Sequence, residues 1–90
     1  MIHIELPGVL QELADQQSNV DVEGRTVREA LDSLGRRHPM VLTRILTRGG
    51  QLRPHVNLFV GGRDIRQGLG LDTQLTDGDE LLVVPSVAGG

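Results

Sequence analysis

The sequence closes on Val84-Pro85-Ser86-Val87-Ala88-Gly89-Gly90, and its last two residues carry no side chain. The only functional group at that end is the α-carboxylate of Gly90. The rest of the composition is consistent with chemistry there. Cysteine is absent, so disulfides, thiolate zinc sites and cysteine nucleophiles are excluded together. Lysine is absent as well, all nine basic residues being arginine. A chain whose own C-terminus became an activated acyl group would therefore offer it no ε-amine, although an arginine-rich composition accounts for the same fact.

The other candidate groups do not assemble into a site. His3, His38 and His55 are scattered, with no i, i+4 pair and no carboxylate at ligand spacing, so no metal site is expected. Asp72, Asp77 and Asp79 lack the ligand order and closing glutamate of a calcium loop, and Asp77-Gly78-Asp79 reads as a tight turn. Gly68-Leu69-Gly70 lacks the third glycine and the strand-to-helix setting of a nucleotide fingerprint. No Ser-His-Asp arrangement is present. Arg36, Arg37, Arg44, Arg48 and Arg53 gather mid-chain, either as solvated faces or as a surface for an acidic partner.

Ninety residues make one small domain, able to bury roughly 60% of its unfolded surface. No apolar run approaches the ~20 residues of a membrane span, and no signal peptide is visible, so a cytoplasmic protein is expected. A net charge of −3 gives no reason to expect nucleic acid as a general partner.

The elements that must present the tail follow from periodicity. Ile2, Ile4 and Leu6 alternate with His3 and Glu5, a half-buried strand stopped by Pro7-Gly8. Leu10 and Leu13 suggest a helical turn, and Val20 and Val22 a second strand closed by Gly24. Thr26-Val27-Arg28-Glu29 reads as a capping box in which Glu29 reaches back to the amide of Thr26. Val27, Ala30, Leu31 and Leu34 then form one stripe of a helix that Pro39 ends.

Val41, Leu42, Ile45 and Leu46 predict a short second helix running to Gly49-Gly50. Val56, Leu58 and Val60 predict a strand, Gly61-Gly62 a two-residue turn, and Asp64-Ile65 the return. Glu80 to Val84 is nearly all apolar, as a central strand would be. One main helix must then cover one face of a mixed sheet of four or five strands, with the two end strands side by side in its middle. That order is the α+β, ubiquitin-like β-grasp. Residues 1–84 are assigned to the domain and 85–90 to an extended, flexible tail.

Strand parity locates a partner surface. With Val56, Leu58 and Val60 facing the helix, Asn57 and Phe59 face outward. Leu82 and Val84 of the last strand share that outer face, and Pro85 stands at the root of the tail. Phe59 is the only aromatic residue. Phe59, Leu82, Val84 and Pro85 are therefore the candidate partner-binding residues, unless the segment from Arg48 to Pro54 covers them.

The ending VPSVAGG, preceded by DGDELLVV and the hairpin VNLFVGGRDIR, resembles the sulfur carrier proteins of the ThiS/MoaD type. The likeness spans the whole chain, its specific part lying between His55 and Gly90. It is strongest to the carrier used in cysteine biosynthesis; molybdopterin synthase small subunits come next.

The resemblance implies that Gly90 is adenylated by a ubiquitin-activating-like adenylyltransferase/sulfurtransferase and converted to a thiocarboxylate. A carboxylate is a poor electrophile and an acyl-AMP a good one, so sulfide or a persulfide can displace AMP. The tail Val87, Ala88, Gly89 and Gly90 would enter the partner. Without Cβ atoms its last residues pass a narrow channel, in a site that must exclude water. Pro85 to Gly90 reach at most about 20 Å.

On the same likeness the chain is a protein cosubstrate and not an enzyme, and it binds no cofactor. ATP with magnesium, and pyridoxal phosphate or a molybdopterin precursor, belong to partner enzymes. The sulfur acceptor would be a pyridoxal-phosphate cysteine synthase or a molybdopterin synthase large subunit, and a metalloprotease could release the product. A carrier for a secondary metabolite, a ubiquitin-like modifier joined to lysines, and a plain β-grasp module that contacts RNA remain open.

Overall fold

The last strand sets the geometry of the rest of the fold. In the computed structural model, which describes residues 1–85, strand β5 (Glu80–Pro85) lies in the middle of a five-stranded sheet. It runs parallel to β1 (Ile2–Glu5) on one side and antiparallel to β3 (Val56–Val60) on the other. Outside these lie β2 (Asn19–Val22) and the two-residue β4 (Arg63–Asp64), in the order β2-β1-β5-β3-β4. β1 pairs with β5 from Glu80 to Leu82 and β3 from Leu81 to Pro85, so every residue of β5 is paired on at least one edge.

Between β1 and β2 the chain makes a one-turn helix, α1 (Gly8–Gln11), and a 3-10 turn over Glu12–Ala14, which bury Leu10 and Ala14. Helix α2 (Val27–Arg37) crosses one face of the sheet, with Val27, Ala30, Leu31 and Leu34 all wholly excluded from solvent. Burial of each leucine contributes roughly 1.5–3 kcal/mol. Opposed to this stripe are Ile2, Ile4, Val20, Val22, Leu58, Leu81 and Val83, the inward side chains of four strands.

The start of α2 departs from the predicted capping box in one bond. Thr26 Oγ1 accepts from the amide of Glu29 at 3.2 Å, but the Glu29 carboxylate accepts from the amide of Arg25 at 3.0 Å, not from that of Thr26. Thr26 is instead bridged to Gln74, and the amide of Val27 donates to the Thr73 carbonyl. Gly24 lies against the helix: a Cβ there would sit 2.6 Å from the Ala30 nitrogen.

Helix α3 (Pro39–Ile45) starts at the proline that ends α2, since the first helical position needs no N–H donor. It stops at Ile45, short of the predicted glycine pair, because Leu46 turns extended and bridges Leu52. The β3–β4 turn is the predicted one, with φ of 58° at Gly61 and 81° at Gly62. Ile65, Leu71 and Leu75 close the open end of the core before Gly78 turns the chain into β5.

Candidate partner-binding face and tail root

Because β5 is central, each outward residue on it has a defined neighbour. Leu82 lies opposite Glu5 of β1 and Phe59 of β3, and Val84 lies opposite Asn57. Leu82 is 37% exposed, while Phe59 and Val84 are half-buried. Three of the four predicted partner residues therefore meet on one face. The Arg48 to Pro54 segment adds no strand to the sheet, and its Arg53 carbonyl accepts from the Val56 amide at 3.1 Å.

This apolar patch is framed by charge. Toward the start of β5 the same face carries Glu80 and Glu5, with His3 between Glu80 and Asp21 in register. His3 Nδ1 lies 2.5 Å from Asp21 Oδ1. On the other flank Arg66 donates from Nη1 to Asn57 Oδ1 at 2.9 Å and from Nη2 to the Arg53 carbonyl at 2.7 Å. Asn57 is thereby held in place beside Val84. Neither the carboxylate frame nor the Arg66 clamp was part of the sequence prediction. Strand parity could have found the first; the second needs a contact across the hairpin.

The fourth residue, Pro85, falls elsewhere. Strand β5 continues one residue beyond the predicted Val84, and Pro85 pairs with Val56. By parity it shares the helix side of the sheet with Leu81 and Val83, where it lines a groove of about 320 Å³ with Val9, Leu10 and Leu13. Proline fits here because it ends the strand. Val87, Ala88, Gly89 and Gly90 lie outside the described residues.

The remaining candidates stay apart. His3 is on the outer face, His38 is buried between α2 and α3, and His55 precedes β3. Among the described residues no group of three or more His, Cys, Asp or Glu side chains is placed to hold a metal. Asp77-Gly78-Asp79 is a turn, closed by the Thr76 amide donating to Asp79 Oδ2 at 2.9 Å. Among the described residues no helix is long and apolar enough to cross a membrane.

A mixed sheet grasping one main helix, with parallel end strands at its centre, defines a ubiquitin-like β-grasp protein. Residues 4–90 match the ThiS family, and the chain belongs to it. Its relatives include the sulfur carrier protein CysO of Mycobacterium tuberculosis, 29% identical over 99% of this chain and 98% of that protein. Small archaeal modifier protein 1 of Haloferax volcanii is 36% identical, over 90% of this chain and 91% of that one. Among solved structures, a chain of the Amycolatopsis orientalis BexX/CysO complex superposes with a TM-score of 0.92. It is 31% identical, with both chains covered completely.

Proposed function

We propose that this chain is a sulfur carrier, a protein cosubstrate whose Gly90 carboxylate is adenylated on a partner enzyme and then becomes a thiocarboxylate. The observation that carries the proposal is the placement of β5. The central strand holds Leu82 and Val84 on the apolar outer face and leads straight into the six residues from Pro85 that end at Gly90. A partner docked on Phe59, Leu82 and Val84 has the tail at hand.

In the activating step a Gly90 carboxylate oxygen attacks the α-phosphorus of ATP and pyrophosphate leaves. Sulfide then attacks the acyl carbon, and AMP departs with the oxygen it received, leaving C(=O)S⁻. ATP and magnesium act on the adenylyltransferase. This chain contributes the docking face and a C-terminal peptide that a water-excluding site can close over.

Within this class we favour cysteine biosynthesis, given the relatives named CysO. There the thiocarboxylate sulfur would add to an electrophile made from an activated serine on a pyridoxal-phosphate enzyme. A metalloprotease would then release cysteine from Gly90. A molybdopterin synthase small subunit is the alternative within sulfur transfer. The relatives named as archaeal modifiers support a second reading, in which the same activated Gly90 is joined to lysines of other proteins.

Deletion of Gly89-Gly90 tests the proposal. The shortened protein should unfold at the temperature of the full chain and take up no sulfur in the presence of ATP, sulfide and the adenylyltransferase. Undiminished uptake would exclude a C-terminal carrier. Lysine-linked products in place of released cysteine would favour the modifier reading.

A further inference from the structure

Charge is divided unequally along this chain. Seven of its nine arginines fall between residues 36 and 66, where the only carboxylate is Asp64. Among the described residues only Arg28, outside that stretch, forms an arginine–carboxylate ion pair, with Asp72 at 3.6 Å. The seven arginines of that stretch therefore pair with no carboxylate among the described residues.

The fold brings part of it to the tail root, on the side of the sheet away from Phe59. Arg44 of α3, His55 and Glu12 line the groove whose apolar wall is Val9, Leu13, Val83 and Pro85, so this groove holds one carboxylate as well as its arginine. Arg44 and His55 also border an adjoining groove with Met40, Thr43 and Arg53, which no carboxylate lines. The Arg44 side chain is exposed and makes no hydrogen bond or ion pair to another described residue. Val9 is 71% exposed, an apolar side chain offered to solvent at the mouth of the groove. Arg53 is anchored, its Nε donating to the Thr43 carbonyl at 2.9 Å, which fixes its guanidinium near the rim.

We propose that this groove is a second docking site, filled by an acidic segment of the partner protein that receives the tail, with an apolar side chain as anchor. The inference rests on the carrier function proposed above and adds the chemistry of the partner's grip. The apolar wall is matched by a Leu, Met or Phe, and Arg44 with Arg53 in the adjoining groove, neither paired with a described carboxylate, by flanking Asp or Glu residues. Nucleic acid fits less well. The groove has no Phe, Tyr or Trp on which a base could stack, its one aromatic ring being the His55 imidazole, and the rest of the chain carries eleven of the twelve carboxylates. With the outer face bound as well, both sides of the sheet at Pro85 would be held, and the tail aimed between them.

The test places the photo-crosslinker p-benzoylphenylalanine at Arg44 in the full chain and mixes it with the adenylyltransferase of the same organism and ATP. The crosslinked peptide should be an acidic segment of that enzyme with an apolar residue. In parallel, Arg44→Glu should raise the KM of adenylation for this chain roughly three- to tenfold at low salt, with kcat unchanged. The increase should fade near 1 M salt, where the Debye length is about 3 Å, and Arg44→Lys should restore most of the affinity. Crosslinks to a basic or neutral segment, to nucleic acid or to a second copy of this chain would overturn the proposal, as would an unchanged KM for Arg44→Glu. A wild-type chain that is never adenylated would instead overturn the carrier function itself.

Discussion

Replacing Leu82 by arginine separates the fold from the docking face. Leu82 retains 37% exposure, so about two thirds of the roughly 1.5–3 kcal/mol available from burying a leucine is realised on folding. Arginine recovers part of that about 1–2 kcal/mol, because its stem can lie along Phe59 and its guanidinium faces Glu5 across the β1–β5 pair. The net folding cost should be about 1 kcal/mol or less, a fall of roughly 4–8 °C in Tm.

Docking is affected differently. The partner would lose the remaining third of the leucine's burial, about 0.5–1 kcal/mol. It would also have to accept a charge in an apolar interface, which costs several kcal/mol unless it is paired. A combined loss of at least about 2–3 kcal/mol corresponds to a 30- to 150-fold rise in the KM of adenylation for this chain. Far-UV circular dichroism should follow the melt, since the chain has no Trp or Tyr, and pyrophosphate release should follow the kinetics. A Leu82→Arg protein that melts within 8 °C of wild type, yet is adenylated with wild-type KM, would refute the outer sheet face as the docking surface.

Other substitutions probe the scaffold. Gly24→Ala sets a methyl carbon 2.6 Å from the Ala30 nitrogen and 2.9 Å from its Cα, both backbone atoms; a loss of about 1–3 kcal/mol is expected in thermal or urea unfolding. Thr26→Ala removes the α2 cap on the Glu29 amide, and urea titration should show a loss of about 1 kcal/mol. Leu31→Ala empties a wholly buried site under the sheet and should cost about 2–5 kcal/mol. If that variant still folds at the assay temperature, the kcat of adenylation should be unchanged.

Much of this architecture is written in short-range patterns. The alternation of Ile2 and Ile4 with polar residues, the α2 stripe and the Gly61-Gly62 turn each depend on local geometry, and all appear in the structure. The pairing of Phe59 with Leu82 could also be anticipated, because strand parity fixes the face once the strand order is known. What the sequence obscured depends on contacts between distant segments. Thr26 bridges Gln74, and that tertiary contact accompanies the shift of the Glu29 bond to Arg25. Leu46 pairs with Leu52, which ends α3 before the glycines that a local reading selects. Pro85 stands at the root of the tail, which groups it with Phe59 in a reading of the sequence, but one residue in a strand changes the face. The groove at Pro85 is assembled from α1, α3, β3 and β5, so no single stretch of sequence displays it.

The absence of cysteine makes the decisive measurement clean. The chain is incubated with ATP, sulfide and the adenylyltransferase, treated with a thiol alkylator and fragmented by tandem mass spectrometry. A label carried by the Gly90 fragment, and dependent on ATP, is the predicted result; alkylation also distinguishes sulfur incorporation from oxidation of Met1 or Met40. An adenylyltransferase that consumes ATP with this chain but leaves Gly90 unlabelled after sulfide treatment would contradict the thiocarboxylate chemistry.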